Sequence, residues 1–437
     1  MSTTAPTEAP GAAHRLAALA EDLLGGPLPV RLRAWDGSET GPADAPVAVL
    51  RSRRALRRLL WQPGELGLAQ AYVTGELDVE GDLAQGLRTA WAARRERGPH
   101  RPRPAPADLV RALATAARLG AVGPRPAAPA SQARLRGGLH SRARDRAAIS
   151  HHYDLSNDFY ALLLDETMAY SCGYWAGDDP GLTPAGAQRA KLELICRKLA
   201  LKPGARLLDI GCGWGSLTLH AAERHGAMVT AVTLAREQAA YVRERVRERG
   251  LAERVEVVCQ DYRDIEGGGF DAVSSVEMGE HVGDAGYPAF AVALHRLVRP
   301  CGRVLVQQMS RGPDNPGGGP FIEAYIAPDM HMRPLGETVA LLARAGLEVR
   351  HTESLREHYV RTIAAWHRTL EERWESFVRM VGEETARVWR LYLVGGALAF
   401  EEGRMGVDQI LGVRPGTGGD SGMPATTSQW YEGLERA

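Results

Sequence analysis

Residues 205–215 read ARLLDIGCGWG, an apolar strand through Leu207, Leu208 and Ile210 that runs straight into three alternate glycines. Gly211, Gly213 and Gly215 permit a sharp strand-to-helix turn and a close backbone approach to a ligand. The spacing is GxGxG, not the GxGxxG of dinucleotide folds, and no Lys-Ser/Thr of a phosphate loop follows. Asp209, at the strand end, can order the turn and take an amine or water of the ligand. Preceded by LLD and followed by a helix, the loop favours S-adenosylmethionine over a merely structural turn.

Outward from the loop the pattern alternates. AQRAKLELICRKLAL precedes it as an amphipathic helix, and SLTLHAAERHG follows as a helix. MVTAVTL, RVEVVCQD, FDAVSSVEM and GRVLVQQMS read as strands, separated by the helices REQAAYVRERVRERG and YPAFAVALHRLVRP. This β-α-β rhythm predicts a doubly wound, mostly parallel α/β sheet with its ligand at the carboxyl ends of the strands. The second strand ends in Val232-Thr233-Leu234 where an acid usually grips ribose hydroxyls, so Thr233 and Gln238 must supply polar contacts. Gln260-Asp261-Tyr262 then places a carboxylate and a ring where an adenine would sit. Residues 352–412 read as mainly helical, packed on the sheet.

The amino-terminal third differs. A frayed tail precedes a helix from His14 to Leu24, and LPVRLRAWDGSETG (28–41) reads as a strand ending in an Asp36-Gly37 turn. RSRRALRRLL (51–60) reads as a basic helix and YVTGELDVEGDL (72–83) as a short exposed strand pair. The expected organisation is a small α+β domain over 1–90, an Arg/Pro-rich linker over 91–149, an α/β domain over 150–412 and a flexible tail over 413–437, in which Trp430 and Tyr431 are candidates for docking.

Composition bounds the function. The 437 residues carry 53 basic and 53 acidic side chains, which gives no whole-chain case for nucleic acid. Residues 88–149 hold 14 arginines against Glu96, Asp108 and Asp145. A solvated linker is the plain reading; attraction to anionic lipid is the sharper one. An RNA-binding arm is disfavoured because no aromatics are interleaved to stack bases. Cys172, Cys196, Cys212, Cys259 and Cys301 show no CxxC or Cys/His ligand spacing, so no metal site is expected and a reducing cytoplasm is. No signal peptide and no apolar run long enough to span a bilayer are read, leaving a soluble or peripheral protein.

HHYDLSNDFY (151–160), YSCGYW (170–175), LDIGCGWG (208–215), VTLAREQ (232–238), QDYRD (260–264) and EMGEHVG (277–283) together resemble the cyclopropane-fatty-acyl-phospholipid synthase and mycolic acid methyltransferase family. The likeness runs from about 150 to 411, and the amino-terminal unit looks like the extra domain of the phospholipid-acting branch. It implies a Rossmann-like S-adenosylmethionine-dependent methyltransferase domain, with Tyr170 and Ser171 added to the cofactor set of Asp209, Gly211, Gly213, Gly215, Thr233, Leu234, Gln238, Asp261 and Tyr262. It further implies attack by a cis double bond of a lipid acyl chain on the sulfonium methyl, with the tail threaded under the helices between 320 and 400. Aromatic faces such as Tyr153, Tyr160 and Trp175 are candidates to stabilise the resulting carbocation.

In the family a bound bicarbonate takes the proton, held by a Cys, a Glu, a His, a Tyr and a backbone contact. Carried over, these are Cys172, Glu280, Gln307 in the histidine's place, Tyr359 and Met309; each also has a plain packing explanation. Glutamine can hold an anion but cannot carry a proton's charge. That departure favours a longer-lived cation, a 1,2-hydride shift and a methylene-branched, tuberculostearate-type product over a cyclopropane. A catalytically silent lipid-binding subunit is the remaining alternative, disfavoured by the intact loop, Cys172 and Glu280. Adjacent His151 and His152 point apart and read as the mouth of the site, not as metal ligands; His281 reads as a neighbour of the chemistry. The implied partners are a membrane phospholipid on the cytoplasmic face and a separate flavin- or NADPH-dependent reductase; a homodimer stays open.

Overall fold

The computed structural model describes residues 11–96, 106–133, 137–142, 144, 156–177 and 181–436. His151, His152 and Tyr153 lie outside the described residues. The chain divides into two compact units, residues 1–132 with 381–398, and residues 133–380 with 399–437.

The second unit is built on a seven-stranded sheet. Its strands are β5 (Arg206–Ile210), β6 (Met228–Thr233), β7 (Val255–Cys259), β8 (Phe270–Val276), β9 (Val298–Arg311), β10 (Glu348–Ser354) and β11 (Met405–Val413), in the order β10-β11-β9-β8-β5-β6-β7. The pairs β9/β8, β8/β5, β5/β6 and β6/β7 are parallel, whereas β11 runs antiparallel to β9 and to β10. Successive residues of β5 serve opposite faces, as the two-residue period of a strand requires. Leu207 joins a core with Leu194, Ile195 and Val229; Leu208 joins another with Phe290, Leu294 and Leu342. Each such fully buried aliphatic side chain contributes about 1.5–3 kcal/mol. Covering both faces this way explains why the parallel strands are near-continuous apolar runs.

The first unit carries a four-stranded sheet of β1 (Arg31–Arg33), β2 (Glu39–Thr40), β3 (Val47–Leu50) and β4 (Leu77–Glu80), ordered β2-β1-β3-β4. Its buried ion pair joins Arg58 Nε to Glu76 Oε2 at 2.8 Å, while Arg58 Nη1 donates to the Ala127 carbonyl at 2.9 Å.

Three expectations are corrected. YVTGELDVEGDL is not a strand pair: a helix ends at Val73, and only Leu77–Glu80 is a strand, antiparallel to β3. Among the described residues of the span expected as a linker, 91–149, the helix Leu83–Glu96 continues past 90, the one helix expected within it is present as Pro106–Arg118, and Ala112, Ala116, Leu119 and Ala121 join the first unit's core. The unit therefore ends at 132, not 90, and it also takes Val394 and Leu398 against Tyr72 and Leu83. Residues 352–412 are mainly helical as expected, in Arg356–Glu372 and Trp374–Glu401, with β10 and β11 flanking the helices. The tail after 412 is packed rather than flexible: Trp430 and Tyr431 dock as the sequence suggested, Leu434 is buried with Trp430 in the same core as Leu207, and Arg303 bonds the Gly422 carbonyl. Two large apolar anchors outweigh the Gly/Ser/Thr composition that suggested a loose end.

Candidate active site

Strand order reverses between β6 and β8 on either side of β5, and a cavity opens at the carboxyl ends of these strands. This is the crevice where open α/β sheets bind ligands. Ten of the eleven expected cofactor residues line it: Tyr170, Ser171, Asp209, Gly211, Gly213, Thr233, Leu234, Gln238, Asp261 and Tyr262. Gly215 does not. It begins the helix Ser216–Arg224 at φ 82°, and a Cβ there would meet Val242 at 2.9 Å, so its role is turn and packing.

The glycine turn is held by the amides of Gly211 and Cys212, both donating to the Val232 carbonyl at 2.8 and 3.0 Å. All three glycines lie at positive φ, where other residues are disfavoured. Gly213 is the informative one: a Cβ there would meet no protein atom within 4 Å. Protein packing does not require its lack of a side chain, whereas a ligand lying on the backbone would.

Asp209 orders the turn. Its two oxygens accept from Thr218 Oγ1 at 2.8 Å and Ser274 Oγ at 2.9 Å, and burial raises its pKa. Thr233 Oγ1 donates to Gln238 Oε1 at 2.8 Å, leaving the buried Gln238 Nε2 without a partner. A buried orphan donor costs about 1–3 kcal/mol, so an acceptor such as a ribose hydroxyl fits there. Asp261 caps the turn at Tyr262–Asp264 and bonds the Arg263 guanidinium, with Tyr262 set edge-on to Phe290. These features fit S-adenosylmethionine.

The expected carbocation ring set is corrected. Tyr160 is fully buried among Phe159, Tyr170 and Trp214, and the Trp175 indole donates to Thr362 Oγ1 beneath Arg361. Neither lines the cavity; its aromatic walls are Tyr170, Trp214 and Tyr262.

Cys172, Gln307 and Tyr359 are brought together, but around a residue the sequence reading missed, Glu277. Its Oε1 accepts from the Cys172 amide and from Gln307 Nε2, each at 2.8 Å, and its Oε2 accepts from the Tyr359 hydroxyl at 2.6 Å. The Cys172 thiol faces the Gly173 and Leu355 carbonyls instead, and burial raises its pKa far above the usual range. Behind Gln307 runs a buried chain: Gln409 Nε2 donates to Gln307 Oε1 at 2.9 Å, and Lys198 Nζ donates to Gln409 Oε1 at 2.7 Å and to Glu353. Gln307 and Gln409 are direct cross-strand partners on β9 and β11. The ammonium fixes each amide in turn, so that Gln307 presents a donor to Glu277. Glu277 itself sits at φ 51°, a left-handed conformation that costs a glutamate about 1–2 kcal/mol. Signals for it were an acid immediately after a strand and a turn with no glycine at its first position.

Glu280, the acid expected to hold the anion, does not join this group. Its Oε1 accepts from the Met309 amide at 2.6 Å, and its buried Oε2 has no partner. Burial, with the Glu277 charge adding to it, pushes its pKa up to about 8, so it is protonated at neutral pH. Glu280→Gln is therefore expected to keep turnover within about threefold of wild type at pH 7. The folded pKa lies above the 4.5 of a free glutamate, so the native state binds more protons between 4.5 and about 8. Wild-type stability falls with rising pH through that window, and the variant gains relative stability across it. Urea midpoints at pH 5 and pH 8 measure this; an equal difference at both would mean that Glu280 ionises normally.

Lys191, fully buried in the cavity wall, donates to Ser171 Oγ at 2.8 Å. His281 also lines the cavity, and burial keeps its imidazole neutral with a pKa down to about 4. Among the described residues, sequence spacing hid one further cluster: ligand atoms of Cys196, His220 and His225 lie within 4.8 Å of one another. Both imidazoles bond Glu193 Oε2, at 3.1 and 3.0 Å, which partners them within the protein.

The family model for mycolic acid cyclopropane synthetase matches residues 140–410. A probable fatty acid methyltransferase of Pseudomonas putida is 37% identical over 92% of this chain and 96% of its own length. Tuberculostearic acid methyltransferase UfaA1 of Mycobacterium tuberculosis is 33% identical over 89% of this chain and 88% of its own. Among solved structures, mycolic acid cyclopropane synthase CmaA1 complexed with SAH and CTAB superposes with a TM-score of 0.58 at 31% identity, covering 61% of this chain and 97% of that one.

Proposed function

This chain belongs to the mycolic acid cyclopropane synthetase family and is an S-adenosylmethionine-dependent methyltransferase, and from that premise we propose that it methylates the cis double bond of an unsaturated phospholipid acyl chain to give a methylene-branched chain, the 10-methylene precursor of tuberculostearate. S-adenosylmethionine supplies the electrophilic methyl. Tyr170, Gln238, Asp261 and Tyr262 hold and orient it, and the glycine turn lets its chain lie on the backbone. No base is needed to start; alignment of the alkene with the methyl is most of the work.

The observation that carries the methylene reading is Gln307. A neutral amide, locked by Gln409, stands where the family's resemblance places a histidine. As a neutral amide it takes no proton itself, and a cation that is not quenched at once undergoes a 1,2-hydride shift that moves the positive charge to the methyl-bearing carbon. Loss of a methyl proton then gives the methylene; loss before the shift gives a cyclopropane, the second reading, which the likeness to CmaA1 favours. Two full-length relatives named for fatty acid and tuberculostearic acid methylation support the first. A methylene product calls for a separate reductase, flavin- or NADPH-dependent, to yield the methyl branch.

Turnover tests the acyl-chain reading. Release of S-adenosylhomocysteine is expected with monounsaturated phospholipid vesicles and absent with fully saturated ones. Equal release from both would contradict it.

No helix among the described residues is long and apolar enough to cross a membrane. A peripheral site on the inner face of the cell membrane is proposed for the first unit, where Trp61, Val110, Leu113 and Val122 are more than half exposed among arginines. Basic residues near an anionic surface contribute about 1 kcal/mol each. Vesicle binding is thus expected to need anionic lipid and to weaken severalfold between low and physiological salt. Equal sedimentation with neutral vesicles would defeat this.

A further inference from the structure

We propose that Glu277 is the general base of this reaction, its carboxylate filling the slot in which the family binds bicarbonate. The inference rests on the acyl-chain reading above and changes what removes the proton. Four of the five groups expected to hold a bicarbonate are occupied, and of that set only Glu280 keeps an unpartnered oxygen. Cys172, Gln307 and Tyr359 donate to Glu277, and the Met309 amide donates to Glu280. A free anion at this place would have to take these donors from Glu277 and Glu280, so the bicarbonate expected from the resemblance does not fit this chain as folded.

The carboxylate is placed for the work. Glu277 lines the cavity directly, whereas Cys172, Gln307 and Tyr359 stand behind it. Its backbone is held in a left-handed conformation by the bond from its own amide to the Gln307 carbonyl at 2.6 Å. Strain of this kind persists where a side chain must be aimed. Three donors accept no proton from it, so each oxygen acts as an acceptor, as an ionised carboxylate should. Burial raises the Glu277 pKa above that of a free glutamate, and the bonds from Tyr359, Cys172 and Gln307, with the Lys191 ammonium, oppose that rise.

The step balances without a co-reactant. A C–H bond of the newly transferred methyl breaks, its electron pair forms the carbon–carbon bond of the methylene or ring, and the proton moves to a Glu277 oxygen. The cation is discharged, and the neutral acid returns its proton to water as product leaves.

The test uses the full chain, S-adenosylmethionine and monounsaturated phospholipid vesicles in buffer stripped of carbon dioxide. Wild type is expected to turn over equally, within about twofold, with or without added bicarbonate. Glu277→Gln is expected to lose on the order of 100-fold or more in turnover, with S-adenosylmethionine affinity retained by calorimetry. Glu277→Gly suits the left-handed backbone and reopens the slot, so it is expected to be inactive alone and to recover saturably with bicarbonate or formate. A wild type that needs bicarbonate overturns the assignment. So does a Glu277→Gln enzyme within threefold of wild type, or a Glu277→Gly enzyme that binds cofactor yet gains nothing from either anion. Wild type that releases no S-adenosylhomocysteine with any unsaturated lipid defeats the acyl-chain reading, and the base with it.

Discussion

Gly213→Val is expected to weaken S-adenosylmethionine binding by on the order of 100-fold, about 3 kcal/mol, while leaving the fold intact. The added Cβ meets no protein atom within 4 Å, so the isopropyl group enters the space where the ligand must lie. The fold bears only the cost of a β-branched residue at φ 54°, about 1–2 kcal/mol. Its neighbours do not separate the two effects in this way. At Gly211 a Cβ stands 3.0 Å from Met278, and at Gly215 one stands 2.9 Å from Val242, so valine there disturbs packing as well as binding. Calorimetric titration together with urea unfolding distinguishes the cases. Unchanged affinity in a stable Gly213→Val protein would move the cofactor away from the glycine turn.

Lys198→Met is expected to cost about 3 kcal/mol of stability, because it removes one partner of a buried ion pair and strands the other. The ammonium is fully buried between Glu353 and Gln409, and Glu353 is only 19% exposed. With Lys198 gone, Glu353 keeps the Tyr431 hydroxyl at 3.2 Å, and Gln409 loses the donor that fixes its amide. Gln307 is then free to turn its oxygen toward Glu277, replacing an attraction with a repulsion. Turnover should accordingly fall along with the urea midpoint. A variant as stable as wild type would show that Lys198 is neutral in the folded protein.

The parallel half of the sheet was legible because a strand buried on both faces has a continuous apolar signature, and the glycines of β5 announce the turn. Most of the expected cofactor residues that line the cavity followed from their places at strand ends, whereas Tyr170 and Ser171 came from the family resemblance. The antiparallel edge was not legible. β10, EVRHTES, alternates between exposed and half-buried residues, and β11 carries Asp408 and Gln409, polar residues whose burial depends on partners such as Ser310 and Gln307 on β9 and Lys198. Glu277 was hidden for a different reason. EMGEHVG offers two acids three residues apart, and which one enters the cavity depends on the left-handed backbone at 277, a conformation that no local propensity for glutamate predicts. The same conformation leaves Glu280 turned to the Met309 amide.

Proton NMR of fatty acids released from vesicles after reaction with S-adenosylmethionine tests the central claim most directly. Cyclopropane and methylene products are isomers that mass does not separate, but their protons resonate far apart. Vinylidene signals, growing as olefinic ones fade, are the predicted result. Upfield ring protons without vinylidene signals would contradict it and make the enzyme a cyclopropane synthase.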